Sequence, residues 1–419
     1  MKVLWLCNNN PFMNNKGGGG WFSSLANILM KREEGIELAF VFPGEEDCKL
    51  DYKYVAYSFK NGAFEKPYKY KINTEKYFTQ ILENEHPDII HIWGTEYYFN
   101  LAMVNAAKKV RLVDRVIVHI QGLCCACKNH IESGLPFHVV YGKTIHDLVI
   151  GSVHDIKKSF EKRAINEIEI LQNVKHVLGR TEWDQNLCYL INENLHYHFC
   201  REILRIPFYD GRWSYDSCIK HKVFISQASY SLKGLHYFLK AFSHVVKKYP
   251  DAVVSIGGKN ITDVSSVKKR LYSSYYGEYI AALIKKYNLK NNVRFIGPMS
   301  AQEMKNEYLS SNIYVLSSSM ENSSNSLGEA LILGVPSIAS FAGGTKSIID
   351  DGVNGFLYQH DDILSLSSLI IKLFESKELC DSLSKNAVTF ASDFYRIDYA
   401  VNDLKTIYET ITTVNASEY

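Results

Sequence analysis

Short apolar runs recur along the chain, each followed by a polar or glycine-rich stretch and then a segment with helical spacing. Residues 3–7, 38–42, 88–93, 116–120 and 174–178 are apolar almost without interruption. Helical spacing covers 21–32, a segment ending near His86-Pro87, and 152–173. Strands buried on both faces read as continuous apolar runs, whereas half-solvated strands alternate. The pattern therefore predicts a parallel sheet with helices on both faces, closing near residue 178. A second set begins after about residue 217. It predicts strands at 223–226, 253–256, 293–296, 313–316 and 337–339, and helices at 234–248, 279–287, 301–310 and 327–333. The Asn-Gly of DGVNGFLY predicts a tight turn between two short strands. At 419 residues the chain exceeds one ordinary core. Two doubly wound α/β halves are expected, 1–206 and 217–395, without a sequence repeat. The linker is expected at 206–215, which holds Pro207 and Gly211.

Composition narrows the classes. Apolar residues make up 46% and charged residues 22%, as in soluble globular proteins. A net charge of +2 leaves no footprint for nucleic acid. The nine cysteines are odd in number and follow no paired spacing, which reads as free thiols in a reducing cytosol. Cys124, Cys125 and Cys127 lie near His130, but adjacent cysteines cannot easily reach one ion and no second Cys-x-x-Cys exists, so no metal site is expected. The start MKVLWLCNNN turns polar too soon for a signal peptide, and no window approaches the roughly 18 apolar residues of a membrane span. A cytoplasmic protein is expected. Lys157, Lys158, Lys162 and Arg163 on the 152–173 segment leave peripheral contact with the inner face of the membrane open; an ordinary solvated helix face is the preferred reading.

The stretch MENSSNSLGEALILGVPSIA, residues 320–339, carries candidate chemistry. A strand at 313–316 is followed by a loop and then a helix after Ser326. Ser326-x-x-Glu329 reads as a capping box, which accounts for Glu329. It does not account for Glu321 or for the five polar residues Asn322, Ser323, Ser324, Asn325 and Ser326. A helix N-terminus presents backbone N–H groups and a positive dipole end, which suits phosphate. A glutamate at the loop's start suits sugar hydroxyls, and one on the first helical turn suits a ribose diol. The stretch reads as a nucleotide-sugar cradle. In the first half, Gly17–Gly20 end a long loop after the first strand, but Phe22 stands where G-x-G-x-x-G needs its third glycine. That loop reads as a flexible ligand-side loop, with a mobile surface loop as the alternative.

With its flanks ALILGVPSIAS and AGGTKSIIDDGVNGFLY, the E-x7-E stretch resembles the retaining glycosyltransferases of family 4. Their fold is GT-B, two Rossmann-like domains facing across a cleft. HPDIIHIWG (86–94), SLKGLHYFLKAF (231–242), VVSIGG (253–258), VRFIGPMS (293–300) and NAVTFASDFYRIDYAVNDLKTIYETI (386–411) are similar to family elements in the same order. The resemblance is strong across 221–358 and looser before 180. It implies an acceptor-side domain at 1–206, a donor domain at 217–395, and a last helix, 396–416, that crosses back to the first domain. The implied activity is transfer of a sugar from a nucleotide diphosphate sugar, UDP-linked by preference, to a saccharide or lipid-linked acceptor in surface polysaccharide assembly. No cofactor and no metal are implied.

Site roles follow from the same resemblance. Glu321 lies beside the donor sugar and Lys233 neutralises the departing diphosphate. Glu329 holds the ribose, and Asn322, Ser323, Ser324, Asn325, Ser326 and Leu327 meet the sugar and diphosphate. Gln227, Gly258, Met299, Gly18 and Gly19 complete the donor contacts. Trp93, Thr95 and Glu96 line the acceptor pocket. Two departures stand out. The family usually has Arg where this chain has Gln227, and often a His-Gly where it has Gln121. Gln121 orients a sugar hydroxyl in this reading, and His119, two residues earlier on the same strand face, is either a catalytic group or a satisfied interior histidine. Two alternatives use the same architecture: a sugar-nucleotide epimerase, or a catalytically weak partner of a transferase. A nicotinamide oxidoreductase lacks its fingerprint. Donor sugar, acceptor, linkage and oligomeric state are not legible.

Overall fold

The computed structural model describes residues 1–12, 20–31, 35–62, 65–263 and 273–417. Strands β1 (Lys2–Leu6), β2 (Glu37–Gly44), β3 (Cys48–Asp51), β4 (Val55–Lys60), β5 (Ile89–Trp93), β6 (Val116–His119), β7 (His176–Gly179) and β8 (His196–Phe199) form one sheet in the order β3-β4-β2-β1-β5-β6-β7-β8. Every pairing is parallel except β3 with β4. Strands β9 (Ile219–Ile225), β10 (Val253–Gly257), β11 (Val293–Gly297), β12 (Ser311–Leu316), β13 (Ser337–Ser340) and β14 (Phe356–Tyr358) form a second, all-parallel sheet in the order β11-β10-β9-β12-β13-β14. The central strands β5, β6 and β12 are buried at every position, which is why they read as apolar runs interrupted only by His91, His119 and the Ser311-Asn312 start of β12.

The first sheet is wider than the pattern predicts. Strands β3, β4 and β8 escape it because β3 and β8 are edges, and CKLD, VAYSFK and HYHF mix polar with apolar positions. The helix expected at 279–287 starts earlier, at Tyr275–Lys286, because the Ser274 hydroxyl accepts the Gly277 N–H and caps it. The DGVNGFLY turn is not a hairpin. The buried Asn354 side chain accepts the Asp350 N–H and donates to the Ile348 carbonyl, and the chain then enters β14 parallel to β13.

Two features lock the halves together. The final helix, Ile397–Ser417, packs Val401, Leu404, Tyr408 and Ile411 into one core with Val3 and Trp5 of β1. The Tyr408 hydroxyl accepts from the Trp5 indole at 3.0 Å and meets His91 Nδ1 at 2.5 Å. In the other direction, Ile131, Val139 and Val153 are buried in the core of the second sheet. The 206–215 connection does not hang free. Phe208 and Trp213 are buried in the same core, and the Trp213 indole donates to the Ser311 carbonyl at 2.8 Å.

Candidate active site at the strand ends

Strands β9 and β12 are neighbours, so the loops leaving their carboxyl ends lie side by side. After β9 the chain makes a short 3-10 turn, Ser231–Lys233, and then Gly234 at φ 69° opens the helix Leu235–Lys248. A Cβ on Gly234 would sit 1.8 Å from the Ser317 carbonyl oxygen, so only glycine allows the two loops to touch. Two hydrogen bonds then clamp them. The Ser317 hydroxyl donates to the Lys233 carbonyl at 2.9 Å, and the Ser319 N–H donates to the Leu232 carbonyl at 2.8 Å.

This clamp brings Lys233 Nζ to 2.9 Å from Glu321 Oε2. Both side chains are mostly buried but keep an exposed edge. Burial disfavours the Lys233 ammonium, yet the Glu321 carboxylate, helped by Tyr230, outweighs it and raises the lysine above its ordinary value. A cation at a helix start opposes the dipole, and Glu321 is what compensates it. The backbone of Glu321 is gripped from the other side by the glycine pair of AGGTKS. The Gly344 N–H donates to the Glu321 carbonyl at 3.0 Å, and a Cβ on Gly343 would stand 2.0 Å from that oxygen.

The polar run after Glu321 is buried rather than open. The helix spans Asn325–Leu333 and its N-cap is Ser324, whose hydroxyl accepts the Leu327 N–H. The expected cap at Ser326 is therefore corrected: its hydroxyl bonds Tyr314 and Ser324 instead. The Asn322 side chain faces the first domain, accepting from the Thr181 hydroxyl at 2.8 Å and donating to Asp184 at 3.0 Å. The buried Arg180 reaches the Ser323 carbonyl. Asn322 and Ser323 thus rivet the two domains through their own polar groups.

Glu329 makes no capping box. Both its oxygens are held by Arg205, Nε to Oε1 at 2.6 Å and Nη2 to Oε2 at 2.7 Å. Burial pushes the Glu329 carboxyl up and the guanidinium opposes it. Gln227 lies exposed in the loop after β9, where its amide donates to Ser229. Gly258, at φ 86°, bridges to Gly297 at the ends of β10 and β11, next to the nearly buried Met299. Gly18 and Gly19 lie outside the described residues.

On the first domain the expected residues separate. His119 is 1% exposed, stacked on Trp93 and 3.3 Å from the buried Glu202, and burial with nearby His91 and Arg180 holds it neutral. It is an interior histidine, but not a satisfied one: both ring nitrogens are buried without a hydrogen-bond partner among the described residues. Gln121 donates to the same Glu202 at 3.1 Å, and Glu202 also pairs with Arg180. Trp93 is buried in a ring cluster with Trp5, Phe22 and His91. Thr95 is buried too, its hydroxyl donating to Glu167 at 2.6 Å. Of the three expected acceptor-side residues, Glu96 alone keeps an exposed portion; burial raises its carboxyl and Arg163 opposes that rise.

Sequence reasoning missed the buried polar groups that hold this arrangement. Glu167 accepts the N–H groups of Cys124 and Cys125 and so fixes the short helix Cys124–Cys127. Thr181-x-x-Asp184 is a readable capping box, but nothing in its spacing announces Asn322 as a partner. Arg205 carries no local signal at all. All nine cysteines are free thiols, and among the described residues no group of His, Cys, Asp or Glu is placed to hold a metal ion.

A pocket of about 350 Å³ opens between the two domains, lined on the second by residues 229–231 of the loop that leads to Lys233. Tyr230 and Ser231 line it from the loop after β9, and Ile150, Val153 and Ile156 line it from the first domain. It contains neither Lys233 nor Glu321.

Residues 219–390 match the family described as glycosyl transferases group 1. A poly(glycerol-phosphate) alpha-glucosyltransferase of Bacillus subtilis (strain 168) is 28% identical over 184 residues, 44% of this chain and 25% of that protein. The chain spans less than half the length of the curated relatives it matches. Among solved structures, sucrose-phosphate synthase from Thermosynechococcus elongatus superposes with a TM-score of 0.72 at 14% identity, covering 99% of each chain. Anabaena Alr3699/HepE, solved in complex with UDP and glucose, gives 0.66 at 15% identity, covering 98% of this chain and 99% of that one. These likenesses are ones of fold, and the fold is GT-B.

Proposed function

We propose that this chain, whose residues 219–390 form a group 1 glycosyltransferase domain on a GT-B fold, moves a sugar from a nucleotide diphosphate sugar to an acceptor hydroxyl. The observation that carries the reading is the Lys233–Glu321 pair at 2.9 Å, held at adjacent strand ends by two loops that glycine alone lets touch. Ligands of open α/β sheets bind at the carboxyl ends of strands. There Lys233 offers a fixed cation to the leaving diphosphate, and Glu321 stands beside the donor sugar. A preorganised cation of this kind needs no reorganisation when charge develops. Glu329, with Arg205 behind it, takes the ribose hydroxyls. The donor is UDP-linked in this reading, supported by the UDP bound to Anabaena HepE. The anomeric configuration is retained, no metal takes part, and the acceptor is a saccharide or a lipid-linked sugar. The name alpha-glucosyltransferase carried by the B. subtilis relative supports retention.

One observation favours the catalytically weak alternative: Gln227 is neutral and exposed where the resemblance calls for arginine. The intact pair outweighs it. The test is thermal stability against UDP, GDP, ADP, NAD and several UDP-sugars, followed by sugar transfer with the responding donor. Ligand at a hundred times its dissociation constant adds about 2.7 kcal/mol. Transfer by Lys233→Ala is expected to fall by about two to three orders of magnitude, the worth of one lost charge-stabilising group. Near wild-type transfer by both Lys233→Ala and Glu321→Gln would sink the reading.

A further inference from the structure

Six large apolar side chains within fourteen residues stand in solvent on the first domain: Phe137, Tyr141, Ile145, Leu148, Val149 and Ile150, from 47% to 78% exposed. They lie on two short helices, Phe137–Tyr141 and Ile145–Ile150, at positions i, i+4 on the first and i, i+3, i+4 on the second, with Ile150 at the end of the second. Fraying does not explain the exposure, because the other faces are anchored. Val139 is buried in the second core. The Thr144 hydroxyl donates to the Ser273 carbonyl at 2.7 Å, and the buried Asp147 accepts the Tyr275 N–H at 2.7 Å. An anchored contiguous patch of this kind marks an interaction surface, whereas apolar residues scattered singly do not.

We propose that this face seats the chain on an anionic lipid bilayer. Two observations select that occupant. The first is charge. Residues 128–163 carry six Lys and Arg against four Asp and Glu, an excess as large as the +2 of the whole chain. Three of those carboxylates are already engaged: Asp147 in capping, Asp155 by Lys143, and Glu132 by Lys157 and His154. Those pairs also occupy Lys143 and Lys157; on the bordering helix, Val153–Asn173, Lys158 and Lys162 remain exposed with the exposed Glu161 between them. A cationic border around an apolar face is what an anionic lipid surface attracts. The second is continuity. Ile150 belongs both to the patch and to the pocket between the domains, whose other wall carries Tyr230 and Ser231 beside Lys233. A bilayer on the patch places the mouth of that pocket at the lipid surface, where the head of a lipid-linked acceptor enters and its tail stays behind. This last step rests on the transfer reading; the docking itself does not.

The experiment is co-sedimentation of the full chain with phosphatidylcholine vesicles containing roughly a quarter phosphatidylglycerol. Wild type is expected to bind. Leu148→Lys/Val149→Lys is expected to bind at least about tenfold more weakly with an unchanged melting temperature, since both side chains already face solvent. Leu190→Lys, on another helix, is expected to bind as wild type. Absence of wild-type binding, or equal binding by the double variant, overturns the proposal. So does a wild-type dimer that the double variant abolishes without vesicle binding, which would put a second copy on the patch. Vesicle binding together with no melting shift from any nucleotide leaves the docking standing and removes the transfer reading.

Discussion

Replacing Arg205 with alanine tests how the end of the first domain supports the second domain's carboxylate. The guanidinium makes two hydrogen bonds to Glu329, at 2.6 and 2.7 Å, and the Glu329 side chain is 3% exposed. Removing one partner of a buried ion pair leaves the other charge uncompensated and costs about 3–5 kcal/mol. Arg205 itself is 20% exposed, so water reaches the gap, and the lower end applies, about 3 kcal/mol. Replacing both partners is expected to be milder. Arg205→Ala/Glu329→Gln recovers about 2 kcal/mol relative to the sum of the single changes, because no buried charge is stranded. Urea denaturation of the four proteins at pH 7 reads this cycle directly. UDP affinity gives a second readout. In Arg205→Ala, burial acts unopposed and lifts the Glu329 carboxyl further, so affinity drops as pH is lowered through the weakly acidic range. A loss of under about 1 kcal/mol, with single changes that simply add, would show that the pair carries no coupling and that the geometry argument is wrong.

Two further outcomes follow from the geometry. Gly234→Ala combines a left-handed backbone with a Cβ 1.8 Å from the Ser317 carbonyl oxygen, so it is expected to cost about 2 kcal/mol or more and to lower transfer by displacing Lys233; an active variant of unchanged melting temperature contradicts this. His91 and His236 are held neutral by burial, with values near 3 against an ordinary 6.5, so the folded state binds fewer protons between those limits and stability declines as pH falls below about 6.5. At pH 5 each is expected to have lost about 2 kcal/mol, and His91→Asn should flatten the pH dependence of urea midpoints even if it lowers them throughout; an unchanged slope removes His91 as a cause.

The sequence by itself determined the elements whose two faces are both buried. Residues 3–7, 89–93 and 313–316 are apolar with the single exception of His91 because helices cover both sides of their sheets, and that constraint is written locally. It determined the E-x7-E stretch in the same way, since a polar loop between a strand and an apolar helix is costly unless something is bound or held there. Edge strands such as β8 carry no such constraint, and HYHF could not announce itself. Side-chain partners were decided only by the tertiary structure. Glu329 reads as a cap from its neighbours, yet it is 124 positions from the arginine that holds it. His119 and Thr95 sit at strand ends as ligand groups do, but their side chains turn into the sheet's buried polar network. The spacing of residues along a chain sets which face of an element they occupy; only the packing of elements settles whether that face meets solvent, core or the opposite domain.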